Sequence, residues 1–199
     1  MPTVRPHERG TVEAFWISLG AIFLAELGDK SQLMAMTFAT RYKAWVVLTG
    51  ITVATTVVHL GSVAIGGLIG DALPTTAISI VAGLAFIGFA AWTLRGDELT
   101  EEESRKAQRA TRSALIAVTV AFFLSELGDK TMLATITLAT QYGWVGTWIG
   151  STVGMVAADA LAIVVGRMLG RNLPEKAVRY GAAAAFAIFG VVMLVDAFL

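Results

Sequence analysis

Long uncharged apolar blocks, separated by short polar stretches, run through most of the chain. Crossing a hydrocarbon core of ~30 Å takes a helix of about 20 apolar residues. Six segments approach or exceed that length, at about 14–40, 44–70, 75–95, 113–140, 144–169 and 175–198. The pattern predicts an all-α integral membrane protein with six transmembrane helices. Pro74 and Pro174 stand just before the third and sixth, where a missing N–H costs least. The polar stretch from Met1 to Glu13 runs directly into a full span and shows no small-x-small cleavage site. It is therefore expected to lead into a retained first helix rather than to be a cleaved signal peptide.

Composition agrees with this class. Of 199 residues, 56% are hydrophobic and 15% charged, against about 25% charged in soluble domains. Lys and Arg number 15 and Asp and Glu 15, so net charge points to no nucleic-acid partner. The absence of cysteine removes disulfides, thiolate metal sites and cysteine nucleophiles together.

A shift of 100 residues aligns the two halves of the sequence on each other. Phe23, Leu24, Ala39, Thr40 and Tyr42 meet Phe123, Leu124, Ala139, Thr140 and Tyr142. Gly50, Gly66, Gly70, Leu73, Pro74, Phe86 and Phe89 likewise meet Gly150, Gly166, Gly170, Leu173, Pro174, Phe186 and Phe189. Three spans per copy is an odd number, so the second copy enters the membrane from the opposite side. The expected architecture is two inverted three-helix repeats, residues 1–95 and 113–199, joined by a charged linker at 96–112. Inverted repeats place a substrate site at their interface near the bilayer midplane.

Basic residues set the orientation. One side of the membrane would hold only Arg5 and Arg9. The other would hold Arg41, Lys43, Arg95, Arg105, Lys106, Arg109, Arg112, Arg167, Arg171, Lys176 and Arg179. The positive-inside rule makes the second side cytoplasmic, with both termini outside and the linker inside.

The pentapeptide Glu-Leu-Gly-Asp-Lys occurs twice, at 26–30 and 126–130. Ala14 to Ala25 supplies only 12 uncharged residues, too few to cross, so Glu26, Asp29 and Lys30 must lie deep in the membrane. Each such charge costs at least ~2.5–3.5 kcal/mol on insertion scales, which marks the position as functional. On a continuous helix Glu26, Asp29 and Lys30 share one face. Gly28 lowers helix propensity there, and either admits a neighbouring backbone or lets the helix break. Ser31 and Thr131 add a hydroxyl beside each motif. Glu26, Asp29, Glu126, Asp129, Ser31 and Thr131 together form an all-oxygen donor set, suited to Ca²⁺, Mn²⁺ or Mg²⁺ rather than Zn²⁺ or Cu⁺. The alternative is a pair of buried ion pairs that only fix packing.

Each motif sums to −1 and the pair to −2, which one divalent cation neutralises. In its absence like-charged carboxylates take up protons, and about two restore neutrality. This arithmetic implies exchange of a divalent cation for protons; sodium would satisfy it equally. Lys30, Lys130, Asp159, His59 and Gln32 are the candidates for proton coupling or secondary support. His59 and Asp159 occupy equivalent positions in the repeat and break its symmetry. Their bland reading is that His59 bonds a neighbouring helix while Asp159 pairs with it or faces water. Thr37, Thr40, Thr137 and Thr140 extend the polar stripe, although hydroxyls in membrane helices usually bond backbone. Trp45, Trp92, Trp144 and Trp148 lie near span ends, as interfacial belts do.

With Glu26-Leu27-Gly28-Asp29-Lys30-Ser31 and Glu126-Leu127-Gly128-Asp129-Lys130-Thr131 in one six-helix chain, the sequence resembles a family of cation/proton exchangers. These are the Golgi manganese/calcium transporters and the bacterial manganese exporters. The resemblance covers about Glu13 to Leu199 and rests on the paired Glu-x-Gly-Asp-Lys/Arg-Ser/Thr motif. It implies a secondary antiporter of Mn²⁺, Ca²⁺ or both, with the acidic residues of both motifs as ligands. The metal is then a transported substrate, no cofactor is expected, and the chain is not an enzyme. Its partners are the ion, protons and the lipid bilayer. The short N-terminus fits a member in a prokaryotic plasma (inner) membrane. Small-residue faces on so small a chain make a homodimer feasible. A divalent cation channel or a sodium-coupled carrier built on the same carboxylates is the competing expectation. An intramembrane enzyme lacks any nucleophile constellation. An exporter of amine-bearing small molecules would set its substrate against Lys30 and Lys130.

Overall fold

Large apolar side chains face outward in this protein and polar ones inward. In the computed structural model, which describes residues 6–72, 74–95, 114–169 and 175–198, Leu68, Val81, Ile116, Val164 and Ile188 are exposed while Ser18, Thr55, His59, Ser62, Thr147, Ser151 and Asp159 are buried. So apolar a surface, over an interior that also buries many polar groups, fits a lipid surround, where helices satisfy their own backbone groups. The linker at 96–112 and Pro174 lie outside the described residues.

Every described element is a helix: α1 Pro6–Glu26, α2 Lys30–Arg41, α3 Ala44–Ala72, α4 Thr75–Arg95, α5 Ala114–Glu126, α6 Lys130–Tyr142, α7 Trp144–Leu169 and α8 Glu175–Asp196. Two of them, over Ala44–Ile69 and Trp144–Met168, are long and apolar enough to cross a membrane alone. The pair α1 and α2, bent by 74° between them, is long and apolar enough only when the two are taken together. Shorter apolar helices cover Ser79–Arg95, Ala114–Glu126 and Tyr180–Val195. The continuous spans expected at 14–40 and 113–140 are therefore each two helices, with the breaks at Leu27–Asp29 and Leu127–Asp129.

The two halves interlock rather than sit side by side. Helix α1 packs chiefly on α7 and, in the mirrored contact, α5 packs on α3. A Cβ added at Gly146, Gly150 or Gly154 would meet the carbonyl of Thr11, Phe15 or Leu19 in turn. The order shows that α1 and α7 run in the same direction, with backbones as close as small residues at every fourth position permit. Gly66 of α3 lies over Ile136, and its repeat partner Gly166 lies over Met36, the residue 100 positions before Ile136. Helices α3 and α7 pack against each other across the repeat. Thr55 donates to the Met155 sulfur at 3.3 Å, and Trp148 Nε1 to the Thr56 carbonyl at 3.1 Å. Trp148 is thus a pin between helices rather than an interfacial anchor, whereas Trp45 and Trp144 are exposed at helix starts. Helices α4 and α8 meet through Phe86, Phe89, Phe186 and Phe189, with ring centroids 5.0–6.0 Å apart.

Candidate functional site

Both motifs adopt one conformation, and it is not a continuous helix. Gly28 and Gly128 have φ of +77° and +80°, a region that glycine enters without Cβ strain. Glu26 and Glu126 end the first half-helices, while Asp29 and Asp129 start the second in extended backbone. The Asp29 N–H donates to the Glu26 carbonyl at 3.1 Å, and Asp129 N–H to that of Glu126 at 3.2 Å. The single-face geometry of a continuous helix is therefore replaced by a turn that gathers glutamate, aspartate and hydroxyl.

The last motif residue closes that turn. The Ser31 hydroxyl donates to Glu26 Oε1, and Thr131 Oγ1 donates to Glu126 Oε2 at 2.8 Å. Each hydroxyl ties the second half-helix to the end of the first. Gln32 does the same by another route. Its Oε1 accepts from the Gly28 N–H at 2.8 Å and its Nε2 donates to the Ala158 carbonyl of α7 at 3.1 Å. Met132 stands opposite it in the repeat, and its sulfur receives the Gly128 N–H at 3.2 Å.

The lysines pair across the repeat. Lys130 Nζ lies 2.7 Å from Asp29 Oδ1, and Lys30 Nζ 3.5 Å from Asp129 Oδ1. Neither aspartate side chain caps its own helix. The pairs are unequal: the Lys130 side chain is 3% exposed and that of Lys30 19%. These crossed pairs bring Glu26, Asp29, Glu126, Asp129 and Lys130 into one buried cluster whose charges act on each other. Sequence spacing concealed them, because i, i+4 proximity suggested Glu26–Lys30; the 100-residue repeat was the signal that connects the halves.

Asp159 belongs to the same cluster. It is fully buried and acts electrostatically on Glu26 and Glu126. Among the described residues neither of its oxygens has a hydrogen-bond partner. His59 does not pair with it; His59 Nδ1 faces Thr152 Oγ1 at 3.4 Å, across the α3–α7 contact. Thr37, Thr40, Thr137 and Thr140 donate to carbonyls of their own helices, outside the cluster. Among the described residues no three Asp, Glu or His side chains are drawn together tightly enough to enclose an ion. Asp29 and Asp129 instead face ammonium groups.

Two broken helices thus face each other across a buried acidic cluster, inside an apolar-surfaced helical bundle. The chain belongs to the divalent cation/proton antiporter family GDT1, whose sequence profile matches residues 14–101 and 114–199. It is 32% identical over 178 residues to a putative manganese exporter of Vibrio cholerae serotype O1, covering 88% of this chain and 87% of that protein. Over 206 residues it is 31% identical to GDT1-like protein 2, chloroplastic, of Oryza sativa subsp. japonica, covering 89% of this chain and 59% of the relative. Protein PAM71, chloroplastic, of Arabidopsis thaliana is 28% identical over 202 residues, with 88% and 55% covered. The chain thus spans a little over half the length of these two chloroplast proteins. No solved structure matches it.

Proposed function

We propose that this protein exchanges Mn²⁺ or Ca²⁺ for protons, exporting the metal through one site shared by both motifs. The observation that carries this reading is the crossed pair, Lys130 Nζ at 2.7 Å from Asp29 Oδ1, which joins the two motifs into one centre. Glu26, Asp29, Glu126 and Asp129 supply carboxylate oxygens to the ion, and the Ser31 and Thr131 hydroxyls orient the glutamates. An oxygen donor set without sulfur or imidazole suits Mn²⁺ and Ca²⁺. The similarity to a manganese exporter favours Mn²⁺. The arriving cation displaces the ammonium groups of Lys130 and Lys30 from the aspartates, which hold those carboxylates until then. Four motif carboxylates, two ammonium groups and Asp159 sum to −3. One divalent ion with one proton, or three protons alone, neutralise this, so the exchange remains about two protons per ion.

Alternating access follows from a six-helix architecture of two inverted repeats, 1–95 and 113–199, with a cytoplasmic linker at 96–112. Helix directions support it. Joining α1 to α2 and α5 to α6 makes α1 and α7 parts of the first and fifth spans, which must run the same way, as they do. The positive-inside rule supports both termini outside, and the similarity to a bacterial manganese exporter supports a plasma (inner) membrane. Transport, not an enzymatic reaction, is the activity assigned.

Purified protein in liposomes loaded with a pH-sensitive dye tests this reading. External Mn²⁺ or Ca²⁺ should drive proton movement in wild type, and Glu26→Gln and Asp129→Asn should each abolish it. Metal entry without proton movement would instead indicate a channel or a sodium-coupled carrier. No cation flux through folded protein would overturn the reading altogether.

A further inference from the structure

The two halves differ in what fills equivalent places between their helices. On one side of the repeat's pseudo-symmetry Val47, Ile51 and Val118 join Ala35, Phe38 and Phe122 in a buried apolar cluster. One hundred residues on or back, the corresponding positions are Thr147, Ser151 and Ser18, with Thr135 in place of Ala35. Thr147, Ser151 and Ser18 are 0% exposed, and among the described residues none of their hydroxyls has a hydrogen-bond partner. Buried Ser62 and Thr135 donate to carbonyls of their own helices, whereas Thr93 and Ser125, outside this set, are likewise buried without a partner among the described residues. A buried hydroxyl without a partner costs roughly 1–3 kcal/mol, and ordered water is the usual remedy.

Along their helices these residues lie between the acidic cluster and the starts of α1 and α7. At 1.5 Å per residue, Ser151 lies ~12 Å and Thr147 ~18 Å from Asp159 toward the start of α7. Ser18 lies ~12 Å from Glu26 toward the start of α1, the helix that runs alongside in the same direction. Thr147 is three residues from the first residue of α7. At the inner end wait both oxygens of Asp159 and Oε2 of Glu26, also buried and without a partner among the described residues. The mirrored position to Asp159 is His59, which has Thr152 beside it.

We infer that Thr147, Ser151 and Ser18 line a narrow water-bearing route that carries protons between Asp159 and the membrane face where α1 and α7 begin. Hydroxyls and water relay protons, whereas a divalent ion needs charged oxygen ligands, which none of these three residues supplies. The close α1–α7 contact at Gly146, Gly150 and Gly154 keeps it narrow. The mirrored set, Val47, Ile51 and Val118, is apolar and offers no hydroxyl to such a route. The inference rests on the proposed exchange for its purpose, but not for its existence.

Two measurements test it. The chain has no cysteine, so single cysteines at 18, 147 and 151, and at the mirrored 118, 47 and 51, are unambiguous probes. Hydroxyl radicals made from local water by X-ray pulses should oxidise the first set at least about tenfold faster than the second. Equal, slow oxidation of both sets would overturn the route. In liposomes, Thr147→Val with Ser151→Ala should slow Mn²⁺-driven proton movement at least about tenfold while Mn²⁺ affinity changes less than about twofold, and Thr147→Ser should retain the rate. A wet route with an unaltered exchange rate would overturn its role in proton transfer. Absence of exchange in wild type would count against the proposed function instead, leaving the radical pattern to decide the route.

Discussion

Replacing Asp29 by Asn leaves the Lys130 ammonium, only 3% exposed and 2.7 Å from the carboxylate, facing a neutral amide. Removing one partner of a buried ion pair costs about 3–5 kcal/mol, because the remaining charge is stranded. Removing both, as in Asp29→Asn with Lys130→Met, strands nothing and is often close to neutral. For a chain of this length one kcal/mol moves the unfolding midpoint by about 2–4 °C. Each single variant should therefore unfold roughly 6–20 °C lower than wild type, and the double variant within a few degrees of it. Thermal unfolding in detergent, followed by tryptophan fluorescence, measures all four proteins of the cycle. The Lys30–Asp129 pair, longer at 3.5 Å and more exposed, should give a smaller coupling. Additive losses in the double variant, or single variants that unfold at the wild-type temperature, would refute the crossed pairing.

Gly128 has room for a methyl group but a φ of +80°, so Gly128→Ala should cost about 1–2 kcal/mol by backbone strain alone, read from the same unfolding scans. Thr131→Ala removes a buried hydrogen bond to Glu126 and should cost about 1.5–3 kcal/mol, with a larger proportional loss of exchange. Gly150→Ala pushes a methyl group into the Phe15 backbone and should cost about 1–3 kcal/mol, whereas Gly61→Ala, with nothing near it, should stay within about 0.5 kcal/mol. Asp159→Asn should leave the fold at least as stable, since it replaces a buried charge by a neutral amide, and should lower the exchange rate in liposomes.

The repeat made much of this legible in the sequence alone. Glu26, Asp29, Glu126 and Asp129 stood out because charges deep in an apolar segment are costly. Gly28 and Gly128 announced a possible break, though not its 74° bend, since a missing Cβ permits a turn without requiring one. The crossed lysines were hidden because helical spacing offers a local partner first. The roles of Ser31 and Thr131 emerged only once the turn placed residue i+5 beside residue i. The contrast of Thr147, Ser151 and Ser18 with Val47, Ile51 and Val118 was present in the aligned halves, yet a hydroxyl in a membrane helix ordinarily bonds its own backbone. Only its lack of a partner in the fold gives the contrast meaning.

The central claim is that one ion is held by both motifs together. Titration of purified protein with Mn²⁺, followed by electron paramagnetic resonance, counts the sites directly. The account predicts one Mn²⁺ per chain, lost in Glu26→Gln and equally lost in Glu126→Gln. Two independent sites, or binding that survives the loss of either glutamate, would contradict it.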